Sequence, residues 1–489
     1  VVKPAESDLR VAPAVWLTIL TVVGAALRIL HLGRWSLEGD EIFTLRDSIV
    51  PPRLSDARPL IYFLNYHLIR PWTQLNELSL RVLPAIFGIL AIPVAYFVVR
   101  RLLGTRAGLF AAMLVTFSAL HVYHSQSARY WSLVFLLSLI FPVAFYIGVR
   151  EQNRRWLGFG AITGLLAILA HPVAGLLFGG LLAWAALPHF RRDRIRKAWT
   201  QPSVRWVALA LCTVTFALVL LFWPVLREWM RMPHEARHRG AALILSYVDG
   251  LTVGLVLIGT LGILWLWQTG ERSLAFLLGC LVVVPTIFCV GLSYVTAVST
   301  AYLLPTAPVF FIGAAAFLDR LAAQEGALRP KGIVTGAVTG MLVLANVPVL
   351  ISHYLDGSRG DFRSAARYVQ AHWAQGDVIY SDQYPVLQHY LPGVQVFGMT
   401  RDPANLERAL REARQERPEA TLWTVALVAP RGGFRTHSLP RLSSWLFANC
   451  RLAAAYGVPR LDFRQNEIQV YRCPLEANSA ADLPSSNSR

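Results

Sequence analysis

The chain has 489 residues, of which 55% are hydrophobic and only 15% charged. Ordinary soluble domains carry about 25% charged residues; the deficit here falls in long apolar runs, which argues against a soluble globule and for a multi-span membrane protein. The formal net charge is +17, yet most of the arginines stand in short stretches between apolar runs. There they act as positive-inside topology signals, and no DNA- or RNA-recognition module is visible.

Residues 11–30 are long enough to span as one helix and to stay in the membrane. A polar stretch follows, residues 31–62, HLGRWSLEGDEIFTLRDSIVPPRLSDARPLIY. Residues 79–99 return, and Arg100, Arg101 and Arg106 mark that side as cytoplasmic. Residues 107–120 go out again, and HVYHSQSARY (121–130) reads as a short outer loop. Residues 131–149 come back to Arg150, Arg154 and Arg155. Residues 156–188 are apolar apart from a break at His171-Pro172 and are flanked by basic loops. This predicts a hairpin of two short helices with His171 near the outer surface, since a proline disfavours helix at the residue before it. Residues 204–226 then cross to a basic outer loop, 227–240. Residues 250–268, 273–292, 301–318 and 332–352 give four more crossings. The count is about eleven, N-terminus inside and C-terminus outside.

After His353 the composition changes. Helix-like DFRSAARYVQAHW leads to strand-like DVIYS, a helix at 383–391, strand VQVFG and a helix at 403–416. TLWTVALV reads as another strand, followed by a helix near 438–448 and strands at 450–457 and 466–473. The alternation predicts a small α/β domain over residues 353–474, behind a transmembrane module of residues 1–352. The tail, 475–489, is polar and reads as disordered. Three of the five cysteines, Cys212, Cys280 and Cys289, lie in apolar runs. If the last two strands pair, Cys450 and Cys473 fall opposite each other. A disulfide in an oxidising compartment and two free thiols are then the alternatives.

The chemistry concentrates in the 31–62 stretch. Asp40 and Glu41 are consecutive, so on a helix they point in different directions and one at most faces a reaction centre. Asp40 behind Gly39 fits two roles, an N-cap of a short helix EIFTLRDS or a general base that takes a proton from an attacking hydroxyl. Charged groups near hydrocarbon are costly and often functional. Arg58, in the same loop, and Arg129 are suited to hold a phosphate bidentately. A carboxylate base with such arginines fits transfer from a lipid phosphate to a hydroxyl. Tyr62, Tyr130, His124 and His171 are candidates for donor or acceptor contacts, each with the alternative of an interfacial or packed helix-end residue.

SLEGDEIFT, ARPLIYFLNYHLI, ELSLRVLPAIFGILAIPVAYFVVRRLLGTRAGLFAAMLV and HVYHSQSARYWSL, in that order, resemble the N-terminal half of bacterial polyprenyl-phosphate glycosyltransferases. These are GT-C class membrane enzymes, which include protein O-mannosyltransferases and lipid A aminoarabinose transferases. The likeness spans residues 11–190 and returns at AYLLPTAP and DFRSAARYVQAHWAQGDVIYSDQY. It implies a multi-span fold in the cytoplasmic (inner) membrane of a bacterium, with the active site and the α/β domain on the extracytoplasmic face. It also implies Asp40 as base with Glu41 beside it, and a sugar donor on undecaprenyl or a related polyprenyl phosphate. The reaction would be inverting, would need no cofactor and no nucleotide sugar, and would end on a lipid, glycan or protein acceptor. Arg58-Pro59 matches a place where such enzymes carry His-Pro or Lys-Pro, so the resemblance gives Arg58 to the lipid phosphate. The chain departs from the family pattern at Leu60, Ser127 and Ala301, where a second proline, an acid and an arginine are common.

A rival pattern is His234-Glu235-Ala236-Arg237-His238, which matches the H-E-x-x-H of zinc metalloproteases. Leu355-Asp356-Gly357 adds a likeness to intramembrane proteases. The motif starts behind Pro233 in a charged loop, where such proteases have an apolar helix. His234, Glu235 and His238 are otherwise candidate ligands of a divalent metal. A lipid or polymer transporter is the third reading, although no repeat between halves is visible.

Overall fold

The computed structural model describes residues 12–53, 59–186, 239–296, 298–325, 332–399, 403–428, 439–456 and 467–473. The chain divides into two compact units, Val1–Arg34 with Phe43–Ile351, and Trp35–Ile42 with Ser352–Arg489.

The first unit is helical, as the apolar runs require: in hydrocarbon a backbone must satisfy its own hydrogen bonds. Its helices are α1 (Ala12–Ile29), α3 (Pro59–Leu64), α4 (Glu77–Leu103), α5 (Thr105–Phe117), α6 (Ala119–Ser125), α7 (Trp131–Glu151), α8 (Arg154–Ala170) and α9 (Leu176–Ala186). There follow α10 (Ala241–Leu251), α11 (Val253–Gln268), α12 (Arg272–Ser293), α13 (Ala307–Glu325) and α14 (Ile333–Leu344). Two helices run across the boundaries between the units in sequence, α2 (Gly39–Ile49) and α15 (Val347–Asp356). Among the described residues, five stretches are long and apolar enough to cross a membrane: Glu77–Leu103, Trp131–Glu151, Arg272–Ser293, Thr300–Gln324 and Ile333–Leu355. Two more are bent pairs, α5 with α6 at 63° and α10 with α11 at 95°. The crossing expected at 204–226 lies outside the described residues.

The bends correct the sequence reading. A single helix was expected over 107–120, followed by a loop. Instead α5 stops at Phe117, and His121–Ser125 are helical and buried. Ser118 ends one helix and caps the next, its hydroxyl accepting from the His121 N–H at 3.4 Å. The carbonyls that α5 leaves open at its end are met by Arg28 of α1. Its guanidinium donates to Val115 O at 2.9 Å, Thr116 O at 3.3 Å and Gly24 O at 3.0 Å, and lies 2.7 Å from His121 Nδ1. A cation at a helix C-terminus also meets the negative end of the dipole. Asn346 serves the other side of the break: its Oδ1 accepts from the Ala119 N–H and its Nδ2 donates to Leu342 O, both at 2.9 Å. The second bend turns on Thr252, whose φ is +72°.

The second unit holds a five-stranded sheet of order β2-β1-β3-β5-β4, with β1 (Val378–Ser381), β2 (Val396–Gly398), β3 (Leu422–Val428), β4 (Arg451–Tyr456) and β5 (Glu467–Cys473). β1 runs parallel to β2 and β3, while β5 is antiparallel to β3 and β4. Helices α16 (Phe362–His372), α17 (Tyr384–Tyr390), α18 (Pro403–Glu416) and α19 (Leu439–Asn449) alternate with the strands. Leu406, Leu410, Leu422, Ala426 and Leu446 form its apolar centre. Cys450 and Cys473 are joined by a disulfide, beside the Arg451–Arg472 rung of the β4–β5 ladder. Of the two alternatives left open by the sequence, the structure has the bridge.

Candidate active site

In the second unit, Asp40 and Glu41 occupy the first turn of α2, where open N–H groups and the helix dipole favour carboxylates. Consecutive helical residues diverge by about 100°, and the consequence is plain: Asp40 is exposed and Glu41 is fully buried. Glu38 holds the N-cap place, its carbonyl accepting from the Ile42 N–H at 3.1 Å. Asp40 therefore lies inside the helix and is not its N-cap. The Glu41 carboxylate reaches back to the Glu38 N–H at 3.0 Å, as the acid of a capping box does. It also accepts from Arg359 Nη1, at 2.9 Å on Oε1 and 3.0 Å on Oε2. The two side chains are 0% and 1% exposed, and a carboxylate so enclosed needs a cation.

The segment before Asp40 is tied down as tightly. Ser36 Oγ donates to Gly360 O at 2.8 Å and accepts from the Phe362 N–H at 3.3 Å. The Leu37 N–H donates to Tyr390 Oη at 2.8 Å, and the Leu37 side chain is fully buried. A Cβ at Gly39 would stand 2.3 Å from Gln383 Oε1, so that side chain would have to turn aside.

In the first unit, four sequence candidates gather into one buried aromatic group. Arg129 donates to Thr44 Oγ1 and to Tyr130 Oη, each at 3.1 Å, and its guanidinium lies 4.8 Å from the Tyr130 ring centre. Tyr130 stacks on His171 with centroids 4.6 Å apart. Trp131 and Tyr302 pack on the same imidazole at 4.9 and 5.5 Å. His124 reaches the group through Trp131, at 6.1 Å. His171 is itself buried, at the break between α8 and α9. Its Nδ1 accepts from the Val173 N–H at 3.2 Å, which leaves Nε2 as the N–H of the neutral ring. Tyr62, 1% exposed, is buried in the same apolar core cluster as Tyr130 and Trp131.

Arg58, His234, Glu235 and His238 lie outside the described residues, and among the described residues no group of three or more His, Cys, Asp or Glu could hold a metal ion. Sequence reasoning passed over Arg359, Thr44 and Trp131, and it quoted Tyr302 without assigning it a contact. It also passed over Arg28, whose signal was available: an arginine inside an apolar run needs a partner.

The chain is a multi-pass membrane protein, and its fold is similar to those of solved GT-C membrane glycosyltransferases. Residues 59–223 match the family model described as dolichyl-phosphate-mannose-protein mannosyltransferase. Among solved structures, ArnT from Cupriavidus metallidurans in the apo state superposes with a TM-score of 0.57 at 13% identity, over 94% of this chain and 98% of that one. The same enzyme bound to undecaprenyl phosphate gives 0.53 at 14% identity, with the same coverage of 94% and 98%. The Archaeoglobus fulgidus oligosaccharyltransferase in the apo form gives 0.58 at 12% identity, over 92% of this chain and 80% of that one. At such identities the likeness is one of fold. No curated protein matches the sequence.

Proposed function

We propose that the chain is a glycosyltransferase of the bacterial cytoplasmic membrane, working on the extracytoplasmic face. It moves a sugar from a polyprenyl-phosphate donor to an acceptor hydroxyl. The observation that carries this reading is the division of the acid pair: Glu41 is buried and neutralised by Arg359, while Asp40 is exposed at a helix start. In this reading Asp40 accepts the proton of the acceptor hydroxyl as the oxygen attacks the anomeric carbon. The bond from that carbon to the phosphate oxygen breaks, the polyprenyl phosphate leaves, and the direct displacement inverts the centre. Arg129, with Tyr130 and His171, stabilises the charge that develops on the phosphate, and Arg58 is a further candidate for that role.

The family match over 59–223 and the shared fold support the class of reaction. One structure of that fold holds undecaprenyl phosphate, which supports a polyprenyl-phosphate donor here. The Cys450–Cys473 bridge belongs to the unit that carries Asp40, and disulfides persist in oxidising compartments. This supports an extracytoplasmic position for residues 353–474 and for the base. The arginines at the α4–α5 and α7–α8 junctions support a cytoplasmic position for those turns. The test is transfer by the purified chain from radiolabelled polyprenyl-phosphate sugars to a membrane-extract acceptor pool. Asp40→Asn should abolish it and leave the folded protein in the membrane. Full activity in that variant would remove Asp40 as base.

A further inference from the structure

Arg359 has a part beyond neutralising Glu41. We propose that it is a positioning residue for the transfer: by clamping Glu41 it fixes the first turn of α2, and with it the direction in which Asp40 faces. The inference rests on the reading of Asp40 as the base.

Three observations carry it. The first is chemical. A buried ion pair is an expensive way to gain stability, since an apolar pair of like volume is often as good or better. The pair here is enclosed completely and stands next in sequence to the exposed acid. The second is geometric. The Glu38 N–H and the Arg359 guanidinium both donate to the Glu41 carboxylate, so its position and tilt are set from two directions. The Glu38 bond fixes the Glu41 carboxylate within the turn, so a rotation of the turn that swung Asp40 would have to break the bonds to Arg359. The third is the backbone around Arg359. Gly357 and Ser358 have φ of +73° and +53°, and for serine that conformation is uncommon. A Cβ on Gly357 would meet the Trp35 indole at 2.5 Å. The turn that presents Arg359 continues into Gly360, whose carbonyl accepts from Ser36, and Phe362, whose N–H donates to Ser36. One turn thus holds the acid's segment at both ends, at Ser36 and at Glu41.

The experiment uses the full chain in detergent. Turnover at a fixed acceptor pool and apparent KM for the donor are measured for Arg359→Ala, Glu41→Ala, the double variant and Arg359→Lys. Asp40→Asn runs alongside, and equilibrium binding of undecaprenyl phosphate reports folding. A misplacement of about 1 Å costs on the order of 100-fold in rate. The expected result is a loss of that order in turnover for each alanine variant, with donor KM unchanged. The double variant should fall no further than either single, because both remove one clamp, and lysine should recover part of the rate. A single alanine variant leaves a lone buried charge that can unfold the chain. In that case the double variant and the lysine variant decide. Wild-type turnover in the double variant, further loss beyond the singles, or a change confined to donor KM would overturn the proposal. Wild-type transfer by Asp40→Asn would instead remove the base reading itself. A dead Asp40→Asn beside fully active Arg359 variants would remove only the inference.

Discussion

The crossing of α11 and α13 is close, and it makes a sharp prediction for Gly262→Ala. A Cβ at Gly262 would lie 1.8 Å from the carbonyl oxygen of Gly313. Contacts of this type settle at about 3.3 Å, so the helices would have to part by roughly 1.5 Å. The crossing offers no easy relief. A Cβ at Gly313 would stand 2.2 Å from Gly259 O, and one at Gly259 would stand 2.7 Å from Phe310 O. The nearest obstacle at each of the three positions is a backbone carbonyl oxygen, which cannot rotate away. Gaps of 0.5–1 Å already forfeit about a quarter to a half of each dispersion contact, and overpacking typically costs about 1–3 kcal/mol, with backbone clashes at the upper end. Gly262→Ala should therefore lose about 3 kcal/mol or more. Gly279 of α12 is the control, since a Cβ there meets nothing within 4 Å. Alanine at that position should be neutral or up to about 1 kcal/mol more stable, from helix propensity alone. Thermal unfolding of the purified chain in detergent, followed by tryptophan fluorescence, reads both. A Gly262→Ala protein that melts with the wild type would refute the reasoning, as would equal losses at the two positions.

Cys450→Ser should remove the loop constraint between residues 23 apart in sequence, worth roughly 3 kcal/mol by chain entropy. Urea unfolding measures this, and in the wild type neither cysteine should take a thiol label before reduction. Arg129→Ala should weaken undecaprenyl phosphate binding about tenfold or more, the worth of one charge-assisted hydrogen bond; an unchanged Kd removes Arg129 from donor binding. Burial pushes the Tyr471 phenol up to about 12, and the nearby Glu467 adds to the rise. A free tyrosine titrates at about 10. The stabilising share of the neutral phenol is therefore complete below pH 10 and is lost as pH rises towards 12. Tyr471→Phe should flatten that part of the stability–pH curve in alkaline unfolding experiments.

Strands β1 and β3 of the second unit were legible because each is a short run rich in β-branched and aromatic residues. DVIYS and TLWTVALV correspond to β1 and β3, and the cysteines fell opposite each other because β4 and β5 pair in antiparallel register. The breaks inside apolar runs were harder to see. Nothing in AGLFAAMLVTFSALHVYHS announces a 63° bend at Ser118, because the carbonyls it exposes are satisfied by Arg28 and the N–H by Asn346, far away in sequence. The loop reading of 121–130 holds for residues 126–130 and failed at 121–125 for the same reason. Polar residues in a short stretch suggest solvent, whereas His121 and His124 are polar residues enclosed by partners. Of the site, the divergence of Asp40 and Glu41 follows from helical geometry. The identity of the buried member does not, since Arg359 lies 318 residues away.

The segment Trp35–Ile42 belongs to the compact unit formed by the C-terminal part of the chain. This constrains how the protein can be cut and recombined. A truncation before Ser352 would keep Asp40 in the polypeptide but strip it of Arg359, Gly360, Phe362 and Tyr390. An exchange of C-terminal parts between two such proteins would likewise fail as a single cut. The heritable module has two pieces, and a working chimera has to carry the short early segment together with the long late one.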